Sequence, residues 1–115
     1  MNRFDFGQWC EEQVAQYLEC VKGWRILERR VRFKGGEVDL ITESAEGDLF
    51  FVEVKGRRNR AFGSPLESMT EIKLRCLQRT AQEWKRRRND FREARFLFVG
   101  VELNDGLPVL EFLDF

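Results

Sequence analysis

The chain has 115 residues, 43% of them apolar and 35% charged, with 20 Lys and Arg balancing 20 Asp and Glu. That length supports a single domain over residues 1–115 with its own core, and no apolar run nears the roughly 18 residues that span a bilayer. The chain holds no histidine. His-type zinc sites, Ser-His and Cys-His nucleophile pairs and imidazole bases are thereby excluded, so acid and base chemistry falls to carboxylates, lysine or metal-bound water.

The neutral total conceals a division, because residues 54–95 carry 13 Lys and Arg against 5 Asp and Glu. A basic third of this kind is compatible with a nucleic-acid partner. Met1 to Phe6 has Arg3 and Asp5 among aromatics and no cationic start leading into an apolar stretch, so no secretory signal is expected. Cys10, Cys20 and Cys76 are odd in number and match no metal-ligand spacing; they read as buried free thiols in a reducing cytoplasm.

From about Phe6 to Lys22, Cys10, Val14, Tyr17, Leu18 and Val21 recur at helical spacing on one face, with Glu12, Gln16 and Glu19 opposite. Glu11 lies near Leu18 at the margin of that stripe. Its carboxylate either snorkels to water or, if the helix packs over a charged face of the sheet, becomes a further metal ligand or orients a water. Gly23 supplies a left-handed helix end. Trp24 to Phe33 reads as a strand whose alternation fails around Glu28 to Arg30, which a bulge or an edge position accounts for. Lys34-Gly35-Gly36 then turns the chain.

Gly36-Glu-Val-Asp-Leu-Ile and Phe51-Val-Glu-Val-Lys55 flank the polar Ser44 to Asp48, which predicts a β-hairpin and, with the preceding strand, an antiparallel meander. Alternation places Glu37, Asp39 and Ile41 on one face of the first strand and Phe51, Glu53 and Lys55 on one face of the second, with Val38, Leu40, Val52 and Val54 opposite. In the simplest register several charges gather on one side of a hydrophobic sheet. Two adjacent carboxylates are costly to ionise together without a cation, and an all-oxygen donor set suits Mg²⁺ or Mn²⁺. Lys55 would hold a phosphate oxygen or an attacking water. The chemistry implied is metal-assisted hydrolysis of a phosphodiester; the plainer alternative is a solvent-facing Glu–Lys cross-strand pair.

Gly56 to Gly63 reads as a flexible basic loop in which Arg57, Arg58 and Arg60 would neutralise a phosphate backbone and Phe62 would stack on a base or anchor the loop; a solvated loop is the alternative. Ser64-Pro65-Leu66-Glu67 has the form of a helix start, an N-cap Ser with Pro and Glu following, and predicts a helix to about Arg88. Met69, Ile72, Cys76, Leu77, Thr80, Ala81 and Trp84 form its inner stripe. Lys73 sits within that stripe and needs an anion or an exit to water. Arg75, Arg79 and Arg86 share the outer face, a candidate nucleic-acid stripe, while the basic cluster Lys85 to Arg88 also suits the helix dipole. Arg95 to Leu103 reads as a buried strand, Asn104-Asp105-Gly106 as a turn and Leu107 to Phe112 as a final strand.

The order helix, three strands, helix, two strands, with Asp39, Glu53 and Lys55 on the central hairpin, resembles the restriction-endonuclease-like, or PD-(D/E)XK, nuclease fold: α/β, a mixed sheet of about five strands with helices packed on it. More narrowly the chain resembles the YraN-type family of small bacterial endonuclease-like proteins, distantly similar to Holliday junction resolvases. Glu11 with Ala15-x-Tyr17-Leu18, Gly23-x-Arg25-Ile26-Leu27, Arg32, Gly36 to Ile41, Phe51 to Lys55, Phe62-Gly63, Lys73 and Arg95-Phe96 carry the likeness. The resemblance implies that Asp39 and Glu53 hold the divalent ion with the Val54 carbonyl, that Lys55 orients the water, that Glu11 is an auxiliary ligand and that Lys73 supports the site or substrate. Cys10 stands where a Gly is usual, Arg30 where an Asn is common and Leu97 where an Asp often follows Arg-Phe.

Two functions follow as expectations: a Mg²⁺- or Mn²⁺-dependent endodeoxyribonuclease acting on structured or branched DNA, or a non-catalytic nucleic-acid-binding or adaptor protein that retains the fold. A protein-interaction module with a surface ion-pair network is the blandest option. By analogy with enzymes that cut two strands symmetrically, a homodimer is expected.

Overall fold

In chain order the elements are α1 (Arg3–Cys20), β1 (Arg25–Phe33), β2 (Gly36–Glu43), β3 (Leu49–Arg57), α2 (Glu71–Arg88), β4 (Ala94–Asn104) and β5 (Leu107–Asp114). The computed structural model describes residues 1–59, 63, 65 and 69–114. The strands lie in the order β1-β2-β3-β4-β5. Among the described residues only β3 and β4 are parallel, since α2 lies on the crossover between them, while short turns join the antiparallel pairs. The expected mixed five-stranded sheet and the order αβββαββ are therefore what the chain adopts.

Local chemistry explains the punctuation. Between β2 and β3, the Asp48 N–H donates to the Ser44 hydroxyl at 3.0 Å and the Ser44 N–H donates to the Asp48 carbonyl at 2.8 Å. Between β4 and β5, Asp105 and Gly106 have φ of 52° and 78°, the paired positive values of a two-residue type I′ hairpin. Gly23, φ 71°, turns the chain out of α1 while the Trp24 N–H reaches the Leu18 carbonyl at 2.8 Å.

The broken alternation of β1 has both proposed causes. β1 is an edge strand, and its register against β2 shifts between Ile26 and Glu28. Arg30 adds a left-handed backbone, φ 51°. Its neighbour Val31 then faces the same core as its partner Val38.

Each face of the sheet has its own core. α1 lays Phe6, Cys10, Val14, Ala15 and Leu18 on Leu40, Phe50, Val52, Leu97, Val99 and Val101. On the other face α2 lays Leu77, Ala81 and Trp84 on Val31, Val38, Ile41, Leu49 and Phe51. Phe51 is fully buried, with ring centroids 5.7 Å from Trp84 and 6.0 Å from Phe96. Burying a side chain of this size stabilises the fold by roughly 1.5–3 kcal/mol.

Several expectations are corrected. α2 begins at Glu71, because Thr70 is extended and its hydroxyl accepts the Lys73 N–H at 3.2 Å; Ser64, Leu66 and Glu67 lie outside the described residues. Ile72 and Lys73 consequently sit in the first turn and are exposed instead of buried. Val38 and Leu40 belong to opposite cores because the strand twists out of alternation beside Arg30. β3 continues through Lys55, Gly56 and Arg57, held by parallel pairing to Gly100, Val101 and Glu102, so the basic segment is strand to that point and loop only beyond. All three cysteines are free, but Cys20 is exposed at the end of α1 and Cys76 is half-buried. Val21, one residue past the helix, is exposed too.

Candidate functional site

The site arises where β2 parts from β3. Pairing between the two strands runs from Glu43↔Leu49 to Leu40↔Val52. At the next position the Val54 N–H donates to Asp39 Oδ2 at 2.7 Å, a side chain taking the place of a ladder bond. On its other edge β3 stays paired with β4 throughout, so the gap opens on one side only and the charges of the central motif collect in it.

Two glycines let the helices close around the gap. Gly36 has φ 149°, and a Cβ there would meet Thr80 Oγ1 at 3.0 Å and Cys76 Cβ at 3.3 Å, so α2 rests on backbone at the start of β2. At Gly56 a Cβ would meet Cys10 Sγ at 2.4 Å and Phe6 Cε2 at 2.9 Å, so α1 rests on β3 just beyond Lys55.

Asp39, Glu53, Lys55 and Lys73 line one cavity of about 450 Å³, together with Ile72 from the first turn of α2 and Phe98 from β4. Asp39 also lines a cavity of about 380 Å³ on the α1 side, with Glu11, Glu37, Arg30 and Arg32. The sequence places Asp39, Glu53 and Lys55 together, and the fold does the same. Lys73 joins them from above as an exposed group, and its charge is felt at Glu53.

Electrostatics mark the pair. Burial pushes the Glu53 carboxyl up to about 10, and its hydrogen bond with Asp39, the Asp39 charge and the Glu37 charge act in the same direction, while Lys73 opposes them. Glu53 is thus held toward its protonated form, as one member of a close carboxyl pair is. Lys55 is drawn down from its usual value by burial first, then by Arg57, Lys73 and Arg3, with Glu53 opposing.

Glu11 stands one cavity over. Its carboxylate accepts from Arg30 Nε at 2.9 Å, and burial and the Asp39 charge raise it against the pull of Arg30. α1 covers the face of the hairpin opposite Glu53, so Glu11 shares a cavity with Asp39 and Glu37 but not with Glu53. Among the described residues no group of three or more Cys, Asp or Glu side chains is arranged to hold a metal ion. The donors in hand are the Asp39–Glu53 pair, oxygen-only and short of charge compensation. That pair fits a hard divalent ion that keeps several waters of its own.

The basic residues divide. Arg57 is half-buried at the end of β3. Arg58 donates to the carbonyls of Met1 and Asn2 and lies 4.7 Å from the Phe6 ring centroid. Arg60 and Phe62 lie outside the described residues. On the outer face of α2, Arg75 pairs with Glu71 at 3.0 Å and Arg86 with Glu83, while Arg79 contacts Cys76 Sγ at 3.2 Å. Arg3 is the residue sequence reasoning missed: it lines the α1-side cavity and also a cavity of about 630 Å³ with Lys55, Arg57 and Arg58. Nothing in its local pattern distinguishes it from any first-turn arginine.

Residues 10–101 match the family described as "Uncharacterised protein family UPF0102". A UPF0102 protein of Syntrophomonas wolfei is 42% identical over 107 residues, covering 92% of this chain and 90% of the relative. One of Trichlorobacter lovleyi is 39% identical over 110 residues, covering 93% and 85%. Among solved structures, Pyrococcus furiosus SfsA in complex with Ca²⁺ is 16% identical, covering 95% of this chain and 60% of that one, with a TM-score of 0.31, too slight a likeness to argue from.

Proposed function

The chain belongs to the UPF0102 family, and from that premise we propose that the gap between β2 and β3 is the active site of a metal-dependent endonuclease acting on structured or branched DNA. The observation that carries this is the Asp39–Glu53 pair, two hydrogen-bonded carboxyls in a half-buried cavity that also receives Lys55 and Lys73. A salt-bridge network on a solvated strand would draw its carboxylates below their ordinary values, as Arg29 does Glu12; Glu53 is driven far above its own.

Asp39 and Glu53 would hold Mg²⁺ or Mn²⁺ with the Val54 carbonyl, and Glu11 would serve as an auxiliary carboxylate. When bound, the ion supplies Lewis acidity at the scissile phosphate and a more acidic water. The remaining work belongs to the chain. Asp39 is fixed by the Val54 N–H at 2.7 Å, so its carboxylate is oriented before any ligand arrives. Lys55, whose proton is held less tightly than an exposed lysine's, orients the attacking water and neutralises the phosphate. Lys73, at the mouth, neutralises the flank of the substrate. Arg57, Arg58 and Arg60 are the candidate backbone contacts; Arg75 and Arg79, which the sequence offers beside them, lie on the outer face of α2, where Arg75 is paired with Glu71 and Arg79 contacts Cys76. Cutting two strands of a junction calls for two copies of the chain.

A second function, nucleic-acid binding without cleavage, is favoured by one observation: Glu11 is engaged by Arg30 and does not join the pair. A cleavage screen with Mn²⁺ over junction, flap, single-stranded and duplex DNA separates the two. Wild type should cut at least one form, and Asp39→Ala and Glu53→Ala should fall to the background seen without protein. Undiminished cleavage by either variant would sink the assigned site, and binding that persists in chelator without any cleavage by wild type would favour the adaptor.

A further inference from the structure

The 630 Å³ cavity beside the carboxylate pair is lined by Arg3, Lys55, Arg57 and Arg58, with Phe6 and Gly56 as its floor. These cations come from two places far apart in sequence, the first turn of α1 and the end of β3. They are drawn together because Gly56 lets α1 sit directly on the strand. Arg58 fastens the arrangement: it holds the carbonyls of Met1 and Asn2 and covers the Phe6 ring, which fixes the chain segment carrying Arg3.

Elsewhere among the described residues most arginines are matched to carboxylates. Arg25 and Arg92 meet Glu43, Arg29 meets Glu12, Arg30 meets Glu11, Arg32 meets Glu37 and Arg75 meets Glu71. Among the described residues the ion pairs take in none of Arg3, Lys55 and Arg57, and Arg57 Nε is buried without a hydrogen-bond partner. Clustered cations that repel one another, one of them with an unsatisfied buried donor, are what an anion relieves. Lys55 lines this cavity and the carboxylate cavity alike, so an anion seated here lies next to the phosphate being cut.

We propose that Arg3, Lys55 and Arg57 form a phosphate subsite that receives the nucleic-acid backbone adjacent to the Asp39–Glu53 pair, so that the bound strand leaves the cleft past the start of α1 and not along the outer face of α2. This deepens the nuclease function above and rests on nucleic acid occupying the cleft. The outer face of α2 is a poorer track because Arg75 and Arg86 already spend their charge on Glu71 and Glu83.

The test is fluorescence anisotropy with a labelled short single-stranded oligonucleotide in EDTA, where no metal-dependent cleavage occurs. Arg3→Ala and Arg57→Ala should each weaken binding about tenfold at low salt and flatten the slope of log affinity against log salt by about one. The double variant Arg75→Ala/Arg79→Ala should change affinity less than about threefold, and Asp39→Ala should bind at least as well as wild type. Arg3 is exposed in the first turn of α1, so its variant decides the matter even if Arg57→Ala does not fold; Arg57→Lys should keep the wild-type salt slope. The subsite is overturned if Arg3→Ala binds like wild type, if the α2 double variant loses more than Arg3→Ala does, or if wild type does not bind the oligonucleotide. The expected binding pattern in a protein that cuts nothing with Mn²⁺ would uphold the subsite and remove the nuclease activity, so the two failures are read separately.

Discussion

The two halves of β3 obey different rules. Leu49, Phe50, Phe51 and Val52 are buried, paired on both edges and covered on both faces by the two helical cores. Glu53 to Arg57 are half-buried, paired only to β4, and open to two cavities on the free side. The first half shows how apolar area is removed from water; the second shows how the same strand keeps carboxylates and cations at partial burial without surrendering its place in the sheet. One edge of backbone pairing holds the position, and the lost edge is repaired at a single point by Asp39 on the Val54 N–H.

Cutting into the first half should cost most. Phe51→Ala removes a fully buried ring in contact with Trp84 and Phe96 and should destabilise the protein by about 3–5 kcal/mol in urea unfolding. Next, Gly56→Ala forces a Cβ against Cys10 Sγ and Phe6 and should cost about 1–3 kcal/mol, part of it returned in the double variant Gly56→Ala/Cys10→Ala. A full return would mean that Phe6 carries none of the contact.

The open half should respond to pH with the opposite sense from an ordinary ion-paired carboxylate. Folded Glu53 holds its proton up to about 10, against a usual value of 4.5. Between those values the folded chain binds more protons than the unfolded one, so stability is lost as pH rises through that window. In EDTA, Glu53→Gln should therefore be more stable than wild type by on the order of 1–2 kcal/mol at pH 8, with the difference vanishing near pH 4. Equal stability at both pH values would show that Glu53 is ionised and differently compensated. Smallest of all, Arg75→Ala breaks an exposed pair with Glu71 and should move the urea midpoint by less than about 0.5 kcal/mol of stability.

Much of this was legible in the residues. Periodicity located α1, the meander, β4 and β5, since amphipathic spacing and turn chemistry are local properties; the Asp105-Gly106 hairpin and the Gly23 helix end are read from single residues whose backbone preferences decide the turn. Alternation along β3 put Glu53 and Lys55 on one face, and the spacing to Asp39 made their meeting the economical outcome. Less legible was the start of α2, where Thr70 is the N-cap. A buried Lys73 and Ile72 were expected only because the helix was drawn too long.

What the chain order by itself determined is therefore the list of elements and the membership of the acidic pair, because both follow from repeats of two and of about three and a half residues. Tertiary structure alone decided that β2 leaves β3 at Asp39, that Glu11 goes to Arg30, and that Arg3 crosses from the far end of the chain to stand beside Lys55 and Arg57. The physical reason is that such encounters depend on where two backbones can touch, as α1 does at Gly56, and no local pattern encodes that distance.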